Sequence, residues 1–328
     1  MAEVSITRSG AETLIPEDYL DQIIQEAPED SIFLRNARRL PDMSTNQKRM
    51  SVLETLPIAY FNNAGAAASD TSYKRTSNVE WQDKFIDAEE LSVIVPIPEN
   101  VLEDTARNIW DEITPLIREA IGNKIDGAVF FGTSAPNAWP DDLYTAANAA
   151  GNTIAVGANG DLYDDILGED GLVALLEQDG YFPNGFVANV AFRGKLRGVR
   201  YDQGGGAGTG EPIFQNDPAG AGRYMLDGQP IQFSRNGAWD AGLAHLFALS
   251  WDKIVYSIRK DITYKMLDQA VIQDPTDNSI VYNLAQQDMV ALRVVMRLGW
   301  QVPNPVNRLQ PTEANRYPAA VLTPVNPS

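Results

Sequence analysis

The chain has 328 residues, of which 44% are apolar and 21% are charged, so its composition is that of a folded globular protein and not of a disordered one. Its 44 acidic residues outnumber 26 lysines and arginines, and the formal net charge of −18 opposes non-specific binding to nucleic acid or anionic lipid. The absence of cysteine excludes disulfides, thiolate nucleophiles and cysteine-based metal sites, and the single histidine, His245, leaves at most one imidazole for catalysis or ligation.

The N-terminal segment shows no targeting signal. It carries Glu3 and Glu12 and lacks the continuous apolar core of a secretory signal. No stretch of about 18 apolar residues is present that could span a bilayer. We therefore expect a soluble protein that is made in the cytosol and has no membrane partner.

Residues 14–50 are predicted to form an arm that opens with a short amphipathic helix. Pro16 suits a first helical position, and Leu20, Ile23 and Ile24 share one face. A local basic cluster follows, made of Arg35, Arg38, Arg39, Lys48 and Arg49. A solvated or salt-bridged face is the favoured interpretation of this cluster, and an arm that contacts phosphate is the alternative.

Residues 51–97 are predicted to form a long two-stranded hairpin. The apolar residues of its return strand fall at odd positions around a charged middle: Val79, Trp81, Phe85, Leu91, Val93, Val95 and Ile97. Between the strands lie the polar residues 62–78, a longer connection than the roughly 12–15 residues usual within compact domains. Because an isolated hairpin is only marginally stable in water, we expect this one to lie on its own domain or on a neighbouring subunit.

Residues 98–126 carry the strongest helical pattern, because apolar residues recur every three to five positions: Leu102, Ala106, Ile109, Ile113, Leu116, Ala120 and Ile125. Pro115 lies inside this pattern and is expected to kink or split the helix, since it removes one backbone hydrogen bond at a cost of about 3 kcal/mol. The apolar run 128–131 closes the segment.

Residues 133–250 are predicted to be mixed α/β. Helices are expected over 140–150, 162–178 and 191–200, with a strand over 186–189 and a hairpin at Asp227-Gly228. The glycine-rich stretch 204–210 has neither the G-x-G-x-x-G spacing nor a following Gly-Lys-Ser/Thr. It is therefore predicted to be a flexible loop and not a phosphate-binding one.

The C-terminal third contains two stretches, 254–266 and 290–302, in which the even positions are almost all apolar. A period of two over 13 residues predicts two half-buried strands, each about 43 Å long. The segment after Pro303 contains five further prolines and is predicted to be extended and outside the core.

No arrangement of residues predicts catalysis. His245 lies in an apolar context without a Gly-x-Ser-x-Gly motif, so a structural histidine is favoured over a hydrolase base. The acidic stretch 161–170 lacks the ligand spacing of a calcium loop. We therefore predict no enzyme and no catalytic, cofactor-binding or metal-binding residue.

The order of these parts resembles the major capsid proteins of tailed double-stranded-DNA bacteriophages, which have the Hong Kong ninety-seven-like fold. The resemblance rests on co-linear order and not on one diagnostic motif, and three stretches carry it: 14–39, 93–132 and 287–300. It implies an α+β fold with an N-terminal arm (1–50), an extended hairpin loop (51–97), the spine helix of a peripheral domain (98–132), an axial domain (133–250), peripheral strands (251–310) and a Pro-rich tail (311–328).

The same resemblance implies self-assembly through hexamers and pentamers into an icosahedral shell around a DNA genome, with each hairpin reaching over an adjacent subunit. The implied partners are sister copies, a scaffolding protein, a portal and, in some shells, a decoration protein, with packaged DNA contacted only weakly. Because 13 residues precede Leu14, a fused scaffold is not expected. The implied location is the virion capsid, after synthesis and assembly in the host cytoplasm.

The residues predicted to contact other subunits lie on the arm and the hairpin: Arg38, Arg39, Tyr73, Lys74, Arg75, Trp81, Lys84 and Phe85. An encapsulin-type shell, which resembles the same fold but encloses protein cargo, is the alternative function. The arm of some 50 residues and the Pro-rich tail favour the virus.

Overall fold

The computed structural model describes residues 30–60, 76–104, 109–199, 215–216, 224–274 and 276–325. The α-helices are α1 (Ile32–Asn36), α2 (Glu99–Asp104), α3 (Ile109–Phe131), α4 (Leu143–Ala150), α5 (Leu162–Leu167), α6 (Leu172–Gln178), α7 (Arg193–Gly198) and α8 (Leu284–Gln287). Short 3₁₀ helices cover Val190–Phe192, Trp251–Lys253 and Glu313–Asn315. The predicted amphipathic helix after Pro16 and the glycine-rich loop 204–210 lie outside the described residues.

The strands form two larger sheets and two separate hairpins. They are β1 (Arg38–Arg39), β2 (Gln47–Thr55), β3 (Glu80–Asp87), β4 (Glu89–Pro98), β5 (Thr153–Ala155), β6 (Gly185–Asn189), β7 (Gln215–Asn216), β8 (Tyr224–Leu226), β9 (Gln229–Ser234), β10 (Leu246–Leu249), β11 (Val255–Leu267), β12 (Val271–Gln273), β13 (Ile280–Asn283), β14 (Met289–Gln301) and β15 (Ala319–Thr323). The hairpin predicted at Asp227-Gly228 is confirmed by the pairing of β8 with β9.

A four-stranded sheet with the order β1-β11-β14-β4 contains both long strands predicted from the alternating pattern. β11 and β14 have 13 residues each and pair antiparallel from Val255 opposite Gln301 to Leu267 opposite Ala291. The central strand β14 is buried over most of its length, because α3 covers one side of the sheet and joins it in one apolar core. The two long strands are therefore confirmed.

A seven-stranded sheet with the order β5-β15-β10-β6-β9-β8-β7 holds the segment predicted to be mixed α/β. Its two faces belong to two apolar clusters: one is shared with α3 and the four-stranded sheet, and the other contains residues of α5, α6 and α7. The helix predicted over 162–178 is divided into α5 and α6 around Gly168 and Gly171.

The expectation that the segment after Pro303 lies outside the core is wrong. β15 lies inside the seven-stranded sheet, parallel to β5 and antiparallel to β10, and the side chains from Ala319 to Leu322 are fully buried. The prolines flank this short apolar run and do not interrupt it, so the run is free to form a buried strand.

The long helix α3 runs through Pro115 to Phe131, so the proline does not split it, and the apolar run 128–131 forms its last turn. Its buried face contains Ile117, Ile121 and Ile125, whereas Leu116 and Ala120, which the sequence pattern placed on the apolar face, are exposed, so the predicted face is wrong at these positions. The short helix α2 precedes it, and residues 105–108 between the two lie outside the described part of the chain.

The single return strand predicted over 79–97 is instead two strands. β3 pairs with β2 in the hairpin, whereas β4 pairs with β14 from Pro98 opposite Met289 to Glu89 opposite Leu298. Ala88 joins the two strands, and just before it the backbone of Asp87 lies against Gly299 of β14. The paired strands of the hairpin are therefore 47–55 and 80–87, and the second half of the predicted strand belongs to the four-stranded sheet.

Candidate subunit interface

One face of the hairpin, which we call the outer face, exposes large apolar side chains. Trp81 is 66% exposed and Phe85 is 41% exposed, and both lie at odd positions of β3. They pair across the hairpin with Leu53 and Arg49, and Asp83 lies between them. Because alternate residues of a strand share a face, these side chains form one surface with apolar ends and a charged centre.

The inner face of the hairpin packs on the rest of the subunit. Val52 and Ile86 are buried, and Ile86 joins a small apolar cluster with Met43, Ala88 and Val255. This cluster holds the base of the hairpin against the start of β11. The hairpin thus has one face stabilised within the subunit and one face open to solvent.

The base of the hairpin lies directly on β14 at Gly299. A Cβ atom on Gly299 would be 2.3 Å from the carbonyl oxygen of Asp87 and 2.7 Å from Cγ2 of Ile86. Real Cβ atoms do not approach other atoms so closely, so any larger residue here would force the strands apart. The glycine is therefore required by the close approach of two backbones.

Lys84 points to the inner side and is engaged within its own subunit. Its Nζ lies 2.6 Å from Oε1 of Glu313 and 3.4 Å from the carbonyl oxygen of Val302. Its side chain is only 18% exposed. The prediction that Lys84 contacts a neighbouring subunit stays a prediction.

Arg38 and Arg39 form β1, which runs parallel to β11 at Val255 and Tyr256, and both side chains are exposed. Arg39 forms an ion pair with Asp42 at 2.8 Å, and this hydrogen bond raises the pKa of the guanidinium. At Arg39 the basic cluster is thus salt-bridged, as the favoured interpretation requires.

The arm is fastened to α3 at Asp126. This buried carboxylate accepts hydrogen bonds from Ser31 Oγ at 2.6 Å, from the backbone N–H groups of Ile32 and Phe33 at 3.0 and 3.1 Å, and from Asn236 Nδ2 at 2.7 Å. Burial is the largest influence on Asp126 and raises its pKa, and the four donors offset only part of that rise. The arm also packs closely on α3 at Gly122. A Cβ atom at this position would lie 2.9 Å from the backbone nitrogen of Ser31, so the contact requires glycine.

Five of the residues predicted to contact other subunits lie in the described part of the chain, and they do not share one surface. Trp81 and Phe85 share the outer face of the hairpin, whereas Arg38 and Arg39 lie on the four-stranded sheet and Lys84 faces inward. Tyr73, Lys74 and Arg75 lie outside the described residues.

Sequence reasoning missed several residues of the hairpin region. Ile58 and Tyr60, which continue from β2, are 56% and 44% exposed, and their alternation after Pro57 was the available signal. Gly299 and Glu313 are more than 200 positions from the hairpin residues that they contact. No local pattern could have indicated them.

His245 is packed as a structural residue. Its ring stacks on that of Phe192 at a centroid distance of 5.1 Å. Burial, followed by the charge of Lys195, lowers the pKa of its imidazole. Within the described ranges, no group of three or more His, Asp or Glu side chains is placed to hold a metal ion. No helix among those residues combines the length and the apolar character that crossing a bilayer requires.

Comparisons with known proteins agree with this architecture. The sequence model of the Phage capsid family matches residues 11–309. The major capsid protein of Staphylococcus phage 80alpha is 26% identical over 286 residues, which cover 87% of this chain and 80% of that protein. A solved structure from Microbacterium phage Oxtober96 is 34% identical with a TM-score of 0.81 and covers 98% of this chain and 100% of that one. A solved structure from Mycobacterium phage Bobi is 31% identical with a TM-score of 0.80, over 98% and 99% of the two chains.

The fold is therefore the α+β fold of phage major capsid proteins, and the function is to form the shell of a phage particle with further copies of the same chain. The encapsulin-type alternative is not favoured. The family is one of structural proteins, and its place is the capsid of the virion. The chain belongs to the Phage capsid family.

Proposed function

We propose that the chain forms an icosahedral shell of hexamers and pentamers around double-stranded DNA, in which the outer face of each hairpin lies on a neighbouring subunit. The observation that carries this proposal is the exposure of Trp81 and Phe85 on a two-stranded ribbon. Burying one large apolar side chain contributes about 1.5–3 kcal/mol, and a symmetric shell repeats the same contact in every copy. Modest contacts are then sufficient for closure.

The domain roles implied by the sequence are proposed with three changes. The pairing of β4 with β14 supports a hairpin loop that ends at Asp87, with 89–98 in the peripheral domain beside α3, β11 and β14. The pairing of β15 with β5 and β10 supports a C-terminal segment that completes the axial domain, so it is no longer a separate tail. The hairpin also begins earlier than predicted, at Gln47 where β2 starts, so the described part of the arm is 30–46 instead of 30–50.

The charge of the chain supports weak contact with the packaged genome. A net charge of −18 repels phosphate overall, so DNA can be enclosed without tight binding. A portal, a separately encoded scaffold and assembly in the host cytoplasm belong to the same proposal. A purely structural role without catalysis is supported by the stacking of His245 on Phe192.

Electron microscopy of the chain expressed with the other genes of its locus tests the shell. We expect closed particles with one vertex that differs from the others, as a portal requires. Uniform shells filled with protein would support the encapsulin-type alternative, and a compact subunit that never assembles would contradict the shell altogether. A map that resolves side chains should place Trp81 of one subunit against its neighbour.

A further inference from the structure

Beyond the apolar cluster and Gly299 at its base, the hairpin is attached to its own subunit by residues 301–313, which we call the clamp segment. Gln301 Nε2 donates to the carbonyl oxygen of Phe85 at 3.0 Å, and the backbone N–H of Val306 donates to the carbonyl oxygen of Leu53 at 3.0 Å. Arg308 donates to the carbonyl oxygen of Pro57 at 2.8 Å. The ion pair between Lys84 and Glu313 adds a side-chain link.

These contacts follow the hairpin outward from its base. The first, at Phe85, is two residues from the end of β3, and Leu53 lies opposite Trp81, six residues from that end. At about 3.3 Å per residue, the attached length reaches about 20 Å. A ribbon held at one end can swing, whereas a ribbon held along this length has a fixed direction.

The clamp segment is also joined to the seven-stranded sheet region. Asn304 accepts hydrogen bonds from Tyr181 Oη at 2.8 Å and from Arg316 Nε at 3.0 Å, and Asn307 Nδ2 donates to the carbonyl oxygen of Asp179 at 2.6 Å. Asn304 and Arg316 are both buried. Burial raises the pKa of Tyr181 to about 12, so its hydroxyl keeps its proton and donates to Asn304 near neutral pH. The clamp segment therefore connects the hairpin to the axial part of the subunit, and the direction of the hairpin depends on this connection.

Lys84 and Glu313 form the contact of this attachment in which both partners are side chains, so the two charges can be exchanged by substitution. The side chain of Lys84 is only 18% exposed, and Glu313 and the carbonyl oxygen of Val302 are the acceptors that face its ammonium group. Removing Glu313 leaves a poorly solvated charge at this point, and that charge favours movement of β3 away from the clamp segment.

We infer that the clamp segment sets the angle of the hairpin, that Lys84 and Glu313 are its positioning pair, and that this angle selects the curvature of the shell. The inference rests on the proposed function, in which the outer face of the hairpin lies on a neighbour. A fixed hairpin direction then fixes the relation between two subunits, and a symmetric assembly repeats that relation in every copy. A change of angle at Lys84 is therefore expressed as a change of particle size.

Paired spin labels test the angle in the unassembled subunit. The chain has no cysteine, so Glu80→Cys on the hairpin and Glu177→Cys on α6 provide two labelling sites at exposed positions. We expect one narrow distance distribution in the labelled parent and a broadened or displaced one after Glu313→Ala. An unchanged distribution in Glu313→Ala overturns the inference, whatever the particles look like.

Charge exchange tests the consequence for the shell. We expect Lys84→Glu and Glu313→Lys each to lower the ratio of parent-size to off-size particles about fivefold, the factor that an interaction of one ion pair can supply. The double variant should restore most of the parent size distribution. Lys253→Glu, which makes the same charge change at a lysine paired with the adjacent Asp252, should leave the size unchanged.

The outcomes separate this inference from the proposed function. Failure of the parent chain to form any particle contradicts the shell, and the label distances still report on the clamp. Single variants that keep the parent size, or a double variant no better than either single one, contradict the role of the pair while the shell stands.

Discussion

The seven-stranded sheet and the hairpin differ in how far a single subunit completes them. In the sheet, Phe247 and Val321 on one face and Leu246 on the other are fully buried, so both faces find their apolar partners within the chain. In the hairpin, Trp81 is 66% exposed on a ribbon of only two strands. The sheet is therefore stabilised by folding, whereas the outer face of the hairpin is left exposed by the part of the chain that the structure describes, and we expect it to gain apolar burial by association.

The hairpin repeats this difference on its own two faces. Ile86 on the inner face is fully buried against the subunit, whereas Phe85, the residue before it, lies on the outer face and is 41% exposed. One subunit thus determines where the hairpin lies, and in the proposed shell a neighbour covers the exposed face. The substitutions below separate these two contributions, from the largest expected loss of subunit stability to the smallest.

The largest loss is expected for Phe247→Ala in the sheet. The ring of Phe247 lies 5.4 Å from that of Phe130, 5.6 Å from that of Trp239 and 5.8 Å from that of Phe131, all in the core between α3 and the sheet. Truncating a buried aromatic residue typically lowers the free energy of unfolding by about 3–5 kcal/mol. Urea denaturation of unassembled subunits measures this loss. A loss below about 1 kcal/mol would mean that the sheet is not complete within one subunit.

Gly299→Ala is expected to act at the boundary between the two regions. The added methyl group has no space below Asp87, so the base of the hairpin must move from β14, at a cost of about 1–3 kcal/mol. Hydrogen exchange should increase in β3 and in the adjacent part of β14. Gly194→Ala in α7 is the matched control, because a Cβ there meets nothing within 4 Å and alanine favours a helix, so it should neither lower stability nor increase exchange in β3 and β14.

The elements of both regions could be predicted where the sequence has a local period. The alternation in 254–266 and 290–302 predicts β11 and β14. The apolar spacing in 98–126 predicts a helix, but it assigns Leu116 and not Ile117 to the buried face, because two adjacent apolar residues fit the same period. The division at Ala88 could not be predicted, since alternation continues on both sides of it and only the distant Gly299 reveals the crossing. For β15, the five prolines after Pro303 predict an extended segment outside the core, but the short apolar run 319–323 between two of them forms a buried strand.

The candidate interface was predictable only in part for the same reason. Trp81 and Phe85 stand out in the sequence as apolar residues in a polar hairpin, and the structure leaves both exposed. Which face of the hairpin Lys84 occupies follows from the register with β2, but its partner Glu313 lies 229 positions away. Contacts across such a separation depend on the completed fold.

A smaller, pH-dependent effect is expected where the arm meets α3. Burial raises the pKa of Asp126 above the ordinary value of 3.8, so the folded subunit holds this proton at pH values where the unfolded chain has lost it. The contribution of Asp126 to the free energy of unfolding should therefore be largest at acid pH. It should decline as the pH rises from the ordinary pKa through the raised one, and stay constant above that.

Subtracting the stability of Asp126→Asn from that of the parent at each pH isolates this effect, because the variant does not titrate at this position. Thermal or urea unfolding between about pH 3.5 and 7 gives the two curves. A difference that rises with pH would show that the hydrogen bonds from Ser31, Ile32, Phe33 and Asn236 outweigh burial. The arm would then be fastened by a charged group.

The smallest loss of subunit stability, together with a large loss of assembly, is expected for Trp81→Ala. Because its side chain is mostly exposed, the free energy of unfolding of the subunit should change by no more than about 0.5 kcal/mol. If the outer face lies on a neighbour, each subunit contact loses about 2 kcal/mol, and shell yield at fixed concentration should fall tenfold or more. Light scattering and particle counts measure the yield.

Gln82→Ala provides the control, since it alters the adjacent position of β3, which faces the other side of the ribbon opposite Val52, and it should leave both quantities unchanged. Equal losses of stability and assembly in Trp81→Ala would mean that the indole is already covered within its own subunit in solution. The outer face would then be as complete as the seven-stranded sheet, and the hairpin would have no need of a neighbour.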